Sequence, residues 1–146
     1  RTPRAIEGVA TFAGSDQLAA FADGLDIVVS VLPLTPETTG IMNAGFFGML
    51  ADGAFIINGG RGPQVDDDDL LAALGSGKLG GAALDVFAVE PLPQDHPFWT
   101  HPKVRVWPHV AAQTNATSAA EQVAAAITAM MEGSEPANRV DWSRGY

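Results

Sequence analysis

Residues 54–62 read Ala54-Phe55-Ile56-Ile57-Asn58-Gly59-Gly60-Arg61-Gly62. The apolar run from Ala54 to Ile57 predicts a short buried strand. It stops abruptly in glycine, with one arginine set among the glycines. A strand that runs out into glycine brings bare backbone N–H groups to the end of a sheet, where a ligand can approach closely. Arg61 adds a planar fork of donors that fits a carboxylate through two hydrogen bonds. Taken alone, the stretch suits a tight turn with a surface arginine equally well.

Outward from it lie more strands of the same kind. Residues 26–32 (DIVVSVL), 82–87 (AALDVF) and 103–107 (KVRVW) are short, β-branched and largely apolar. Such runs predict strands buried on both faces, as in a parallel sheet. Helical patterns fall between them. Ser15 can cap a helix through Ala22 that Gly24 ends, and Asn43 can cap one through Leu50. Leu70, Leu71 and Leu74 follow the acids Asp66–Asp69, and Gly75 and Gly77 close that element. Four acids in a row suit a cation site or the first turn of a helix, where the macrodipole favours negative charge; the leucines behind them favour the helix. Gly77-Lys78 is no phosphate loop, since Leu79 stands where Ser or Thr is needed. Pro-rich residues 88–102 read as a loop, and Asn115 to Met131 as a long Ala-rich helix stopped by Gly133. Alternation of helices with short apolar strands predicts an α/β fold, a parallel sheet with helices on both faces.

Composition bounds the function. The 146 residues are 47% hydrophobic and 17% charged, enough for one domain with a core. A net charge of -9 repels a nucleic-acid backbone unless one face is locally basic, and the 8 Lys and Arg form no such stripe. No apolar run approaches the roughly 20 residues that span a membrane, and no secretory leader is visible. With 0 Cys, disulfides and thiolate metal sites are excluded, which fits a cytoplasmic protein.

In open α/β sheets, ligands sit beyond the carboxyl ends of the strands. Arg61, Glu90 and His109 each fall just past a different predicted strand end, with Pro33, Thr35 and Thr38 past another. A lone His or Glu there is commonly a solvated loop residue; it is the three on one edge that point to chemistry. Arg61 suits the carboxylate and carbonyl of a 2-oxo acid, and His109 a proton donor to the carbonyl oxygen. Glu90 suits the other ring nitrogen of that histidine, fixing its tautomer. No nucleophile elbow or Cys is present, so a hydride would come from a cofactor. A metal site from His96, His101 and His109 is conceivable from residue type, but two of them sit in the Pro-rich loop.

Three runs carry a resemblance. Residues 31–62 (VLPLTPETTGIMNAGFFGMLADGAFIINGGRG), 67–93 (DDDLLAALGSGKLGGAALDVFAVEPLP) and 101–114 (HPKVRVWPHVAAQT) resemble the D-isomer-specific 2-hydroxyacid dehydrogenase family. Within it they are most similar to the glyoxylate/hydroxypyruvate reductase A branch, as is the RGY ending at residues 144–146. The resemblance implies the C-terminal half of a Rossmann-like NAD(P)-binding domain over residues 1–113. Residues 114–146 would be a helix and tail packing toward a substrate domain. The family's glycine-rich fingerprint, with its first strand and helix, is not in this sequence.

By resemblance, Arg61 is the substrate-binding catalytic arginine, Glu90 the acid supporting the histidine, and His109 the proton donor. Asp85 would contact the nicotinamide carboxamide, and Leu32, Pro33 and Thr38 the adenosine and phosphate side. Gly59 and Gly60 would make backbone contacts to the cofactor, which Arg61 and His109 also border. Ala111 and Ala112 would line the nicotinamide. Arg1 and Arg4 stand where basic residues would face a 2′-phosphate, which favours NADP(H) over NAD(H). The resemblance further implies a small 2-oxo or 2-hydroxy acid as substrate and a homodimer. Two other readings stay open: a non-catalytic dinucleotide-binding module, as in corepressor relatives, and a piece with no function by itself.

Overall fold

The computed structural model describes residues 5–142. Arg1, Arg4 and the RGY ending lie outside the described residues. Four strands, β1 (Ile27–Ser30), β2 (Ala54–Asn58), β3 (Leu79–Leu84) and β4 (Val104–Val106), form one parallel sheet in sequential order. The register aligns Val28, Ile56, Ala82 and Val104 in one lateral row and Val29, Ile57, Ala83 and Arg105 in the next.

The first row is core. Ile56 is fully buried and Val28, Ala82 and Val104 nearly so. They cluster with Ala22 of α1 (Leu18–Ala22), Phe46 and Phe47 of α2 (Ala44–Met49), and Leu70 and Leu74 of α3 (Asp67–Ser76). Burying a side chain such as Ile56 contributes about 1.5–3 kcal/mol. The second row is open: Val29 is 58% and Ile57 39% exposed, and Ile27 and Phe55 of the same face are exposed too. Burial of β1 and β2 on both faces is therefore not observed. Their residues are apolar on both sides, but α1, α2 and α3 all send their buried residues to one cluster.

The helices start as their sequences dictate. Asn43 Oδ1 accepts from Phe46 N–H (3.1 Å) and Asp66 Oδ1 from Asp69 N–H (3.0 Å). The acid run is the opening of α3, and Asp69 Oδ2 also accepts from Ala44 N–H (2.8 Å), joining the starts of α2 and α3. Gly77, at φ 84°, closes α3 in the left-handed conformation that glycine adopts at no steric cost. The segment capped by Ser15 in the sequence reading begins instead as a 3₁₀ turn, Ser15–Gln17, leading into α1.

Strand β3 begins at Leu79 rather than residue 82 and stops at Leu84 rather than 87. Glycine normally disfavours a strand. Here a Cβ on Gly80 would sit 2.4 Å from the Gly53 carbonyl oxygen, and one on Gly81 2.6 Å from the Phe55 ring. The two glycines let β2 and the Phe55 ring lie directly against β3.

The chain divides into two compact units, the second beginning at Val110. That second unit contains α4 (Ala116–Met131), capped by Asn115 Oδ1 accepting from Ser118 N–H (3.1 Å). Its tail folds back on it, with Asn138 Nδ2 donating to Gln122 Oε1 (3.1 Å). Val123, Ile127, Met130 and Met131 are exposed. No helix of the described residues is long and apolar enough to cross a membrane.

Candidate functional site at the carboxyl edge of the sheet

The parallel ladder continues past the named strand ends. Gly59 N–H donates to Ser30 O (2.9 Å), Asp85 N–H to Asn58 O (3.0 Å), and His109 N–H to Asp85 O (2.8 Å). Four successive strand ends are thus fixed in one line, and the residues just beyond them share one edge. His109 takes φ 56° there, a left-handed backbone rare outside glycine and frequent at functional positions.

The histidine and glutamate meet. His109 Nδ1 lies 2.8 Å from Glu90 Oε2, while Glu90 Oε1 accepts from Phe87 N–H at 2.9 Å. The carboxylate is therefore held at both oxygens. His109 foremost, then the Phe87 amide, keep the Glu90 carboxyl below its usual 4.5, and the charge of Arg61 adds to the same effect. An ionised carboxylate only accepts, so Nδ1 carries the hydrogen and Nε2 is the ring atom left to exchange a proton.

Arg61 stands exposed beyond β2, its backbone strongly fixed. Its N–H donates to Gln64 Oε1 (3.1 Å), its carbonyl accepts from Asn58 Nδ2 (3.1 Å), and its Nη1 donates to Gly60 O (2.7 Å). Gly59 and Gly60 do not present bare N–H groups. Gly59 N–H is in the ladder, and Gly60 N–H donates to Asn58 Oδ1 (3.0 Å). The polar Asn58 at the end of β2 takes up the amide that Gly60 would otherwise leave open.

On the β1 side, Thr38 Oγ1 donates to Pro33 O and accepts from Thr35 N–H, both at 2.8 Å, folding residues 33–38 on themselves. Leu32 is exposed and Pro33 half-buried. Asp85 is buried at the end of β3. The edge thus gathers Leu32, Pro33, Thr38, Gly59, Gly60, Arg61, Asp85, Glu90 and His109. Ala111 and Ala112 are exposed residues at the start of the second unit. The other histidines have local tasks: His96 pairs with Asp67 (3.6 Å), and His101 Nδ1 accepts from Lys103 N–H (3.2 Å).

Sequence reading missed two residues. Gly62 is one: a Cβ there would lie 1.8 Å from the Phe87 carbonyl carbon. Only glycine lets the arginine turn rest on the backbone that leads to Glu90. Gln64 is the other, fully buried beneath the turn. Its place three residues after Arg61, at the end of the 3₁₀ turn Gly62–Gln64, is the position from which a side chain reaches back to the N–H preceding a helical turn. That spacing was the available signal.

Residues 1–111 match the model of the D-isomer specific 2-hydroxyacid dehydrogenase NAD binding domain. The chain belongs to this family. Over its full length it is 51% identical to glyoxylate/hydroxypyruvate reductase A of Serratia proteamaculans and 49% identical to that of Yersinia enterocolitica. It spans about half of those curated relatives, 47% of each. Among solved structures, the D-isomer specific 2-hydroxyacid dehydrogenase of Xanthobacter autotrophicus, in complex with NADPH and MES, superposes with a TM-score of 0.96 at 48% identity. All of this chain and 60% of that one are covered. The NADPH-dependent glyoxylate/hydroxypyruvate reductase of Sinorhizobium meliloti, in complex with NADP and sulfate, gives 0.93 at 41% identity, covering all of this chain and 48% of that one. The parallel sheet with flanking helices is accordingly the Rossmann-like nucleotide-binding domain of the dehydrogenase family.

Proposed function

We propose that the protein carrying this chain reduces small 2-oxo acids, such as glyoxylate or hydroxypyruvate, to 2-hydroxy acids with NADPH in preference to NADH. The observation that carries this reading is the 2.8 Å contact of His109 with a doubly held Glu90, on the edge that also bears Arg61. The donor set fits such a reaction: a proton donor and an anion holder, with no side chain able to give a hydride. The nicotinamide, when bound, supplies the hydride.

The chain's own residues do the rest. Arg61 pairs with the substrate carboxylate and draws charge from the carbonyl. His109, protonated at both nitrogens, gives its Nε2 proton to the carbonyl oxygen as the carbon is reduced, and Glu90 holds the ring in place throughout. Each turnover thus consumes one proton at His109, regained from solvent. Leu32, Pro33, Thr38, Gly59, Gly60, Asp85, Ala111 and Ala112 are assigned to the cofactor. Arg1 and Arg4 are assigned to its 2′-phosphate. The NADPH and NADP named with the two solved relatives support that preference. In this reading the open face of the sheet and the apolar residues of α4 are covered by further chain of the kind the longer relatives possess, and the protein is a homodimer.

The test is loss of reduced-cofactor absorbance with glyoxylate and with hydroxypyruvate, using NADPH and NADH in parallel. Saturable turnover favouring NADPH is expected. Absence of turnover with every small 2-oxo acid and either cofactor would overturn the reading.

A further inference from the structure

We infer that Gln64 is the positioning residue that locks the arginine turn and the loop after β1 into one register. The inference rests on the reading of Arg61 as the substrate anchor and Leu32–Pro33 as cofactor-side residues. Gln64 is fully buried and its amide is fully engaged. Oε1 accepts from Arg61 N–H (3.1 Å) and from Ser30 Oγ (3.2 Å). Nε2 donates to Leu32 O (3.0 Å) and Pro33 O (3.1 Å). The backbone partners fix the orientation: a turned amide would set its oxygen against two carbonyls and its NH₂ against an N–H.

Gly60 is part of the device. A Cβ at that position would lie 2.6 Å from Gln64 Oε1 and 2.9 Å from Leu32 O. The glycine therefore allows both loops and the glutamine to close on one another. Neither a hydrocarbon nor a carboxylate can replace the amide. A hydrocarbon takes the partner from Arg61 N–H, Ser30 Oγ and Leu32 O, and leaves Pro33 O with Thr38 Oγ1 alone. A carboxylate keeps the acceptor but opposes oxygen to oxygen at Leu32 and Pro33. Through one side chain, displacement of the cofactor loop is transmitted to the backbone of Arg61.

The experiment compares Gln64→Met and Gln64→Glu in the protein carrying this chain, reading the NADPH Kd by fluorescence and the glyoxylate kinetics. Gln64→Met is expected to raise both the NADPH Kd and the glyoxylate KM roughly tenfold, with a smaller fall in kcat. In an Arg61→Ala background it should add nothing further to KM while still weakening NADPH. Gln64→Glu should weaken NADPH and leave KM within about threefold, since it still accepts from Arg61 N–H. The inference fails if Gln64→Met lowers Tm but leaves both constants within about twofold, or if its KM effect multiplies with that of Arg61→Ala. A wild-type protein that binds NADPH but turns over no 2-oxo acid would overturn the proposed function alone, and the NADPH Kd would then decide whether Gln64 holds the loop. A wild-type protein that binds no NADPH would overturn both.

Discussion

Two rows of side chains cross the same four strands with opposite fates. Val28, Ile56, Ala82 and Val104 are packed under three helices, while Val29 and Ile57, one residue further on, face outward beside Ala83 and Arg105. Residue type does not distinguish the rows: Val28 and Val29, or Ile56 and Ile57, are interchangeable on any hydrophobicity scale. What separates them is where the helices send their apolar faces. The packed row holds the sheet together. The candidate site belongs to neither row; it hangs on the ladder where the strands end, through Gly59, Asp85 and His109. Stability and chemistry should therefore respond to different substitutions.

The largest separation is expected at Arg61. Arg61→Ala should cut kcat/KM for glyoxylate by about 10³-fold or more while leaving urea unfolding unchanged, because the exposed guanidinium packs against nothing in the core. A matching loss of stability would break the division between edge and core. Gly62→Ala should cross the division instead. With the Phe87 backbone 1.8 Å from the new Cβ, we expect about 4 kcal/mol of destabilisation by urea titration, together with loss of turnover. The comparison itself is sharpened by Ile56→Ala against Ile57→Ala. Unfolding of the chain should show a loss of about 3 kcal/mol for the first and less than about 1 for the second. Equal losses would mean the second row is also core in solution.

The smallest effect concerns pH. Glu90 is depressed in the fold, chiefly by His109, so the folded state binds fewer protons there than the unfolded state. Its contribution to stability is present above the unfolded carboxyl range and is lost as pH falls through the lower folded value. Urea midpoints followed down through the acid range should drop less steeply for Glu90→Gln than for the wild type. Parallel curves would mean the pair contributes nothing to stability.

The chain's order of elements was legible because its punctuation is strong. Asn43, Asp66 and Asn115 each cap the helix that follows them, and Gly77 and Gly133 take the positive φ that ends one. The start of β3 was not legible, since Gly80 and Gly81 argue against a strand until the Phe55 ring is in view. One-sided cover of the sheet was not legible either, because apolar residues on both faces say nothing about which helices arrive. The convergence of Arg61, Glu90 and His109 on one edge followed from strand ends alone. Their fine support did not. The left-handed backbone of His109 has no signature in a non-glycine residue, and a buried glutamine in a turn looks like any polar loop residue.

In the proposed reaction Glu90 and His109 act as one proton-delivering unit. The most direct measurement is a double-mutant cycle on kcat/KM for glyoxylate with His109→Asn and Glu90→Gln. A loss of about 10³-fold is expected for His109→Asn and about tenfold for Glu90→Gln, with the double variant no worse than His109→Asn. Losses that multiply, or near-wild-type turnover by His109→Asn, would contradict it.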